Sequence, residues 1–248
     1  MASASDNPDE RDFLIPWSEA EAIVVFTGAG MSAESGVPTY RGSGGIWHEY
    51  RWQDYACQEA FDRDPSAVLD FHARRRDSVL ACTPHAGHLA LAGLEKLHPD
   101  VVLITQNIDG MHQRAGNKRV IELHGSLWRV LCPTHGLRND LERAEFAHTR
   151  CPECGAWLRP DITWFGDSLK KDILDAAVKA VEKCDLFVAV GTSGVVWPAA
   201  GLPALARDSG AMMVEINPEE TPMSELYHHR LRRKASEALG SSLFPGLQ

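Results

Sequence analysis

The stretch Gly28-Ala-Gly-Met-Ser-Ala-Glu-Ser-Gly-Val-Pro-Thr-Tyr-Arg-Gly42 follows an apolar run at residues 22–26, which has the composition of a buried parallel strand. Within the stretch, Gly28, Gly30 and Ala33 match the Gly-x-Gly-x-x-Gly/Ala fingerprint of dinucleotide-binding folds. The first glycine allows a tight turn, the second lets the backbone approach a pyrophosphate, and the small third residue lets helix and strand pack closely. The stretch therefore predicts a nucleotide site at the end of a strand.

The residues after this fingerprint end any helix within a few positions, because they include Gly36, Pro38, Gly42, Gly44 and Gly45. An ordinary dehydrogenase would continue into a long amphipathic helix and would carry an acidic residue at the end of its second strand. Neither feature is evident here, which argues against hydride transfer. We instead expect a second, mobile loop that carries Arg41 and can cover a bound nucleotide and act on it.

Length and charge limit the classes of protein to which the chain can belong. A chain of 248 residues can build one sizeable core or a large domain with a small attachment. The net charge of −9 argues against nucleic acid as a partner, and no apolar run approaches the length of a membrane span. Six cysteines without a secretory signal favour a reducing compartment. We therefore expect a cytoplasmic protein without membrane or nucleic-acid partners, and a monomer.

The order of apolar and amphipathic segments predicts an α/β fold. Core strands are expected at residues 22–26, 101–105, 120–123, 186–190 and 212–216, and helices are expected at residues 85–97, 172–183 and 198–208. Alternating strands and helices predict a Rossmann-like, doubly wound parallel sheet.

Two stretches break this alternation and predict insertions. Residues 46–82 have a helical pattern without a strand, whereas residues 129–158 carry Cys, His, Pro and Gly with little periodicity. The predicted Rossmann-like domain thus comprises residues 12–45, 83–128 and 159–248. The two insertions form a smaller domain beside it, made of a helical module and a zinc-binding module, and the cleft between the domains is the expected ligand site.

A cysteine- and histidine-containing cluster lies in the second insertion. Cys132-x2-His135 is followed after fifteen residues by Cys151-x2-Cys154, which fits a tetrahedral structural zinc site. Four protein ligands would leave no open position for catalysis. The alternative is a degenerate site without metal, in which His135 is a surface loop residue.

Further motifs follow in an order and at spacings that resemble those of the sirtuins, the NAD-dependent protein-lysine deacylases. They are Gln106-Asn-Ile-Asp-Gly-Met-His112, Glu122-Leu-His-Gly-Ser126, Arg159-Pro160 with Trp164-Phe-Gly166, Gly191-Thr-Ser193 and Glu215-Ile-Asn217. The resemblance runs from about residue 23 to residue 217, and it is closest to the bacterial branch related to desuccinylases and demalonylases. Sirtuins typically place a fourth cysteine where this sequence has His135.

The resemblance implies NAD as co-substrate and acyl-lysine proteins or peptides as substrates. It assigns NAD contacts to Gly28, Ala29, Gly30, Ser32, Ala33, Glu34, Arg41, Gln106, Asn107, Ile108, Asp109, Gly191, Thr192, Ser193, Asn217 and Ala235. The contact near Ala235 is in doubt, because the sequence departs from the family's glycine-containing loop there. Trp164, Phe165 and Gly166 belong to a segment that resembles the one that pairs as a strand with the substrate peptide.

Catalytic roles are expected for His124, Asn107 and Asp109. Polar residues at the carboxyl ends of parallel strands point into the ligand crevice, although Asn and Asp are also common in turns. We expect the amides of Gln106 and Asn107 to donate to the nicotinamide ribose and carboxamide. The resemblance implies that the acyl oxygen attacks C1′ of the ribose as nicotinamide leaves. His124 then takes a proton from the ribose hydroxyls, and the acyl group ends on ADP-ribose.

Four further histidines are expected to have no catalytic role. His88 and His112 lie in helical positions or directly after a motif, so we expect them to be structural. His228 and His229 are expected to be solvated surface residues.

The helical insertion carries a candidate for acyl-group recognition. Sirtuins that remove acidic acyl groups carry Tyr-x-x-Arg where this sequence has His72-x-x-Arg75. The spacing places both residues on one helix face, where Arg75 can bind a carboxylate with two parallel hydrogen bonds. The alternative is an exposed basic face, with deacetylation only. For the chain as a whole, an NAD- or ADP-ribose-sensing module and a mono-ADP-ribosyltransferase are rival functions that the sequence leaves open.

Overall fold

The computed structural model describes residues 13–40 and 45–243, so Arg41 lies outside the described residues. The described strands are β1 (Ile23–Thr27), β2 (Val101–Thr105), β3 (Val120–Glu122), β4 (Gly125–Cys132), β5 (Gly136–Asn139), β6 (Arg159–Ile162), β7 (Leu186–Val190), β8 (Met212–Ile216) and β9 (His229–Leu231). The described helices are α1 (Ala29–Ala33), α2 (Ile46–Glu49), α3 (Trp52–Tyr55), α4 (Gln58–Arg63), α5 (Pro65–Leu80), α6 (Ala86–Leu97), α7 (Met111–Ala115), α8 (Lys171–Lys183), α9 (Leu202–Asp208) and α10 (Ala235–Leu243).

The larger sheet confirms the predicted doubly wound fold. Its six strands are parallel and lie in the order β3-β2-β1-β7-β8-β9. The order reverses between β1 and β7, and a ligand crevice is expected at this point, outside the carboxyl ends of the strands. Each of the five strands expected from the apolar runs lies within one residue of its predicted bounds.

The sixth strand of this sheet, β9, was not predicted from the sequence. It is a three-residue edge strand, and His229 in it stacks on Phe13 with ring centroids 3.6 Å apart, so this ring is not the solvated surface group that was expected. His228 before it is exposed but accepts a hydrogen bond at Nδ1 from the backbone of Met213. A strand this short and polar has too few apolar residues for its pattern to be recognised.

Two hydrophobic cores cover the two faces of the larger sheet. On one face, Val25 of β1 belongs to a cluster with Leu91 of α6 and Leu239 of α10. On the other face, Phe26 belongs to a cluster with residues of α8 and α9, including Ala177. Successive residues of a strand point to opposite faces, so the continuous apolar run of β1 supplies both cores.

The insertions form a helical module, α2 to α5, and a three-stranded antiparallel sheet in the order β5-β4-β6. Little periodicity was expected in residues 129–158, yet β4 begins before the predicted limit at residue 129, and β6 begins at Arg159, directly after the predicted limit at residue 158. The strands meet closely at Gly125, whose φ is +79° and where an added Cβ would lie 2.0 Å from the carbonyl oxygen of Asp161. The division into two domains stays a prediction.

A buried ion pair joins the two insertions. Arg76 of α5 pairs with Asp140 at 2.8 Å, and at most 3% of either side chain is exposed. The Nε of Arg76 also donates to the carbonyl of Leu127 in β4. The helix that carries His72 and Arg75 is therefore attached directly to the sheet that carries the zinc-binding motif. No helix among residues 13–40 and 45–243 has both the length and the apolar character needed to cross a membrane.

Candidate active site

An open cleft with a volume of about 380 Å³ lies at the crevice between β1 and β7. This volume is within the range of small-molecule sites. The predicted residues that line it are Gly28, Ala29, Gly30, His72, Arg75, Gln106, Asn107, Ile108, His124, Trp164, Phe165, Gly166, Gly191, Thr192 and Ser193. Segments far apart in the sequence thus meet at one site.

The two glycine-rich turns of the cleft are in direct contact. The N–H of Gly30 donates to the carbonyl of Gly191 at 2.8 Å. Gly191 has a φ of +59°, and an added Cβ there would lie 2.3 Å from the backbone nitrogen of Met31. Only glycine fits this position without displacing the turn at Gly28–Gly30. Ala33, by contrast, is exposed, so the expected close packing of its side chain against the strand is wrong. The reason is that α1 is only five residues long and ends at Ala33.

Five other predicted NAD contacts among the described residues lie outside the cleft lining: Ser32, Glu34, Asp109, Asn217 and Ala235. The carboxylate of Glu34 accepts hydrogen bonds from the backbone and the hydroxyl of Ser236, at 3.0 and 2.5 Å. This contact attaches the turn after α1 to the start of α10, where Ala235 is buried. The Asn217 amide donates to the carbonyl of Thr192 at 3.1 Å and so supports the second glycine-rich turn. Their direct contact with NAD stays a prediction.

The amides after β2 hold the cleft together. Gln106 Nε2 donates to the hydroxyl of Thr192 at 2.9 Å, and Asn107 Nδ2 donates to the carbonyl of Gly28 at 3.0 Å and to Ser32 Oγ at 3.3 Å. Both amide groups therefore donate to the protein, which differs from the expectation that they donate to the ligand. Their side-chain carbonyl oxygens are the groups that can accept from a ligand hydroxyl. Thr192 also accepts from the backbone of Gly194, so its hydroxyl stabilises the turn.

The carboxylate of Asp109 is buried beside the cleft. Its Oδ1 accepts from the backbone N–H of Met111 at 2.9 Å and thereby supports the start of α7. Burial raises the pKa of Asp109, although its hydrogen bonds and the nearby Arg75 act in the opposite direction. Asp109 lines a small internal cavity together with Asn107, Ile108 and Arg75. Asp109 therefore both stabilises the turn before α7 and lies next to the cleft.

The imidazole of His124 lines the cleft in the tautomer that a general base needs. Its Nδ1 lies 2.9 Å from the carbonyl oxygen of Gln106. A carbonyl only accepts, so Nδ1 carries the proton and Nε2 carries the free lone pair. Burial lowers the pKa of His124, which favours the neutral ring. Its backbone carbonyl accepts from Thr163, which joins it to the segment before Trp164.

His88 and His112 are structural, as their positions in the sequence predicted. The Nε2 of His112 lies 3.0 Å from Thr27 Oγ1, and the Nε2 of His88 lies 3.4 Å from Ser32 Oγ. Burial lowers the pKa of His88 to about 2 and that of His112 to about 3. Both rings are neutral and contact the residues on either side of the turn at Gly28–Gly30.

The helical module closes one end of the cleft with His72 and Arg75. Both side chains are buried, and the His72 ring stacks on Trp164 with centroids 5.9 Å apart. Within the described part of the chain, four buried nitrogens here have no hydrogen-bond partner: Nδ1 and Nε2 of His72, Nε of Arg75 and Nε1 of Trp164. Burial, followed by the charge of Arg75, lowers the pKa of His72 to about 3, so its ring is neutral and has one N–H to donate. The hypothesis of an exposed basic helix face is wrong for these two residues.

Several aromatic residues that line the cleft were not predicted from the sequence. They are Tyr40, Trp47, Phe71 and Trp197. The Arg75 guanidinium lies 5.5 Å from the centre of the Tyr40 ring, and Trp197 is 75% exposed at the rim. A signal was present in the high density of aromatic residues between positions 40 and 71.

The zinc-binding motif forms a compact cluster away from the cleft. One ligand atom from each of Cys132, His135, Cys151 and Cys154 lies within 4.8 Å of the other three. The Cys132 sulfur lies 3.6 Å from Cys154 Sγ and 3.6 Å from His135 Nδ1. Ligand atoms of a tetrahedral zinc are about 3.6–3.8 Å apart, so the donor set fits a structural zinc ion.

Comparisons with known proteins agree with this geometry. The model of the Sir2 family matches residues 28–198. The NAD-dependent protein deacylase of Aquifex aeolicus is 44% identical over 88% of this chain and 92% of its own length, and that of Pyrococcus furiosus is 43% identical over 90% and 92%. A solved Sir2 homologue in complex with NAD has a TM-score of 0.85 at 40% identity, over 98% of this chain and 94% of its own. A Sir2 structure with a deacetylated peptide and 3′-O-acetyl-ADP-ribose has a TM-score of 0.79 at 31% identity, over 90% and 92%.

Proposed function

The chain belongs to the Sir2 family, and from this premise we propose that it is an NAD-dependent protein-lysine deacylase. It transfers the acyl group of an acyl-lysine protein or peptide to ADP-ribose and releases nicotinamide. The observation that carries the proposal is His124, a neutral imidazole with a free Nε2 that lines the same cleft as the phosphate-binding turns.

The nucleotide is held by backbone and carbonyl groups of this crevice. The N–H groups of Ala29, Thr192 and Ser193 suit the phosphates, because both glycine-rich turns follow parallel strands at the switch point. The N–H groups of Gly28, Gly30 and Gly191 donate to protein carbonyls instead. The side-chain carbonyl oxygens of Gln106 and Asn107 accept from ribose hydroxyls. Asp109 accepts from the carboxamide of nicotinamide beside the small cavity that it lines.

When bound, NAD supplies the ribose carbon that the acyl oxygen attacks as nicotinamide departs. His124 then removes a proton from a ribose hydroxyl through Nε2, while Gln106 holds the ring through Nδ1. The N–H groups of residues 163–165 donate within the protein, so pairing with the substrate peptide falls to the carbonyls of this segment and to the N–H of Gly166. Backbone pairing tolerates varied sequences around the lysine.

We propose an acidic acyl group, succinyl or malonyl, as a substrate alongside acetyl. Buried donors without partners cost free energy, about 1–3 kcal/mol each, and a ligand that accepts from them recovers this cost. The buried nitrogens of His72, Arg75 and Trp164 form such a set at one end of the cleft. A terminal carboxylate is an acceptor of the right charge for the Arg75 guanidinium.

Acyl preference is tested by comparing kcat/KM on succinyl-lysine and acetyl-lysine peptides of the same sequence. Arg75→Met should reduce succinyl-lysine turnover roughly a hundredfold, as expected when a buried carboxylate loses about 3 kcal/mol of pairing, and should spare acetyl-lysine. Arg74→Met, a change on the same helix at an exposed position, is the matched control. His72→Tyr should raise succinyl activity if the imidazole is the poorer donor. Equal losses on both peptides with Arg75→Met would mean that the enzyme is a deacetylase only.

We further propose one structural zinc ion per chain, held by Cys132, His135, Cys151 and Cys154. With four protein ligands the metal has no open position, so its role is to fold the small sheet. A cytoplasmic location, a monomeric state and a place in the desuccinylase-related bacterial branch belong to the same proposal.

A further inference from the structure

The two ring nitrogens of His135 face different partners. Nδ1 lies 3.6 Å from Cys132 Sγ and 3.4 Å from Cys151 Sγ, inside the cluster of metal-binding atoms. Nε2 lies on the other side of the ring, 3.5 Å from Oε2 of Glu153. The second carboxylate oxygen of Glu153, Oε1, accepts from the guanidinium of Arg138 in β5. The geometry therefore forms a chain from the metal position through His135 and Glu153 to Arg138.

We propose that Glu153 is a positioning residue of the zinc site, which acts through His135. Its carboxylate accepts the Nε2 proton and thereby keeps Nδ1 unprotonated and directed at the metal. Arg138 holds the carboxylate in this position. This inference rests on the proposed zinc site but concerns residues outside the four ligands.

The chemistry of imidazole explains why this chain needs such a residue. A neutral imidazole carries one proton, and the ring binds a metal only through the nitrogen that lacks it. An acceptor at Nε2 selects the required tautomer, fixes the ring orientation and raises the basicity of Nδ1. A cysteine thiolate has one sulfur and no tautomer, so it gains nothing from this arrangement.

The expected effect is moderate, because about half of the Glu153 side chain is exposed. Loss of an outer carboxylate typically weakens metal binding 10–100-fold. For this exposed group we expect the lower limit, roughly tenfold.

The test measures zinc affinity of the full-length protein by competition with a chelator. Glu153→Ala should weaken zinc binding roughly tenfold, and Glu153→Gln, which keeps an acceptor oxygen, should weaken it less. In a His135→Cys background, Glu153→Ala should change zinc affinity by less than about twofold, because no imidazole remains to be positioned. Glu145→Ala, which removes an exposed carboxylate elsewhere in the module, is the control for net charge.

An equal loss in both backgrounds would overturn the proposal and leave only a general charge effect. No loss of zinc affinity with Glu153→Ala would overturn the proposal as well.

A second readout is the ¹⁵N spectrum of the zinc-loaded protein, which does not depend on the His135→Cys variant. The proton on Nε2 of His135 should be observable in the unaltered protein and lost to solvent exchange in Glu153→Ala. The same Nε2 signal in both proteins would contradict a positioning role. A purified protein that binds no zinc would instead refute the zinc site itself.

Discussion

At the scale of single residues, one hydrogen bond determines the chemistry of His124. The carbonyl of Gln106 fixes the proton on Nδ1, and burial lowers the pKa of the ring, so Nε2 is a free base at neutral pH. The sequence placed His124 after a strand, and the resemblance gave it a catalytic role. The sequence pattern and the resemblance could not predict the tautomer of His124, because the carbonyl that binds Nδ1 belongs to a residue eighteen positions earlier in the chain.

Replacing His124 tests the base directly. His124→Ala should lower kcat of NAD-dependent deacylation by a hundredfold or more, since a positioned base typically contributes 10²–10⁴ to the rate. The affinity for NAD should change little, because the base acts after the nucleotide is bound. His148→Ala, an exposed histidine on the zinc-binding module, is the control. Steady-state kinetics and an NAD titration measure both quantities, and near-normal turnover in His124→Ala would refute the mechanism.

The directions of the amides at Gln106 and Asn107 are a second feature that the sequence could not provide. Their positions after β2 were predicted, but their NH₂ groups donate to Thr192 and Gly28 rather than to the solvent. Those partners lie more than seventy residues away in the chain. A local pattern contains no information about contacts at this separation.

At the scale of the elements, β1 and β7 carry the site because each is followed by a glycine-rich turn. The five apolar runs predicted the core strands well, since a strand buried on both faces has a strong signal in the sequence. The three-residue β9 and the small antiparallel sheet were missed. Edge strands and metal-supported strands depend on partners elsewhere, so their own residues carry a weak pattern.

The contact between the two turns predicts a specific effect for Gly191→Ala. A Cβ at this position would lie 2.3 Å from the nitrogen of Met31, so the turn at Gly28–Gly30 must move. NAD binding should weaken at least tenfold, about 1.4 kcal/mol, and the free energy of unfolding should fall as well.

Gly210→Ala is the matched control for this change. Gly210 also has a positive φ, of +93°, but an added Cβ there meets nothing within 4 Å. The Gly210→Ala variant has the backbone strain of a positive φ but no steric clash of the added Cβ. Its NAD affinity should therefore be unchanged. Calorimetric titration measures the NAD affinity of both variants, and urea unfolding measures their free energy of unfolding. Equal NAD affinities in the two variants would show that the turns are not held by this contact.

At the scale of the whole molecule, three buried neutral histidines make folding sensitive to mild acid. Burial lowers the pKa of His72 to about 3, that of His88 to about 2 and that of His112 to about 3, from an ordinary value of 6.5. Above pH 6.5 these rings are neutral in both the folded and the unfolded state and contribute no pH dependence. Below pH 6.5 the unfolded chain binds protons that the folded chain does not, so stability falls as the pH falls towards 3.

The free energy of unfolding should therefore begin to decrease near pH 6.5. At pH 5.5 each histidine should account for about 1.4 kcal/mol, or about 4 kcal/mol for the three. Urea unfolding between pH 7.5 and pH 5.5 measures this decrease, and zinc retention is checked at each pH to separate metal release. His112→Asn should reduce the decrease at pH 5.5 by about 1.4 kcal/mol. A midpoint that stays constant down to pH 5.5 would contradict the burial of these rings as neutral species.

Mass spectrometry of the reaction products shows whether the cleft uses NAD to remove acyl groups from lysine. The purified protein is incubated with an acyl-lysine peptide, with and without NAD. We expect equal amounts of deacylated peptide, nicotinamide and O-acyl-ADP-ribose, and no deacylation when NAD is omitted. Deacylation without NAD, transfer of ADP-ribose to protein, or NAD binding without any product would show that the protein is not an NAD-dependent lysine deacylase.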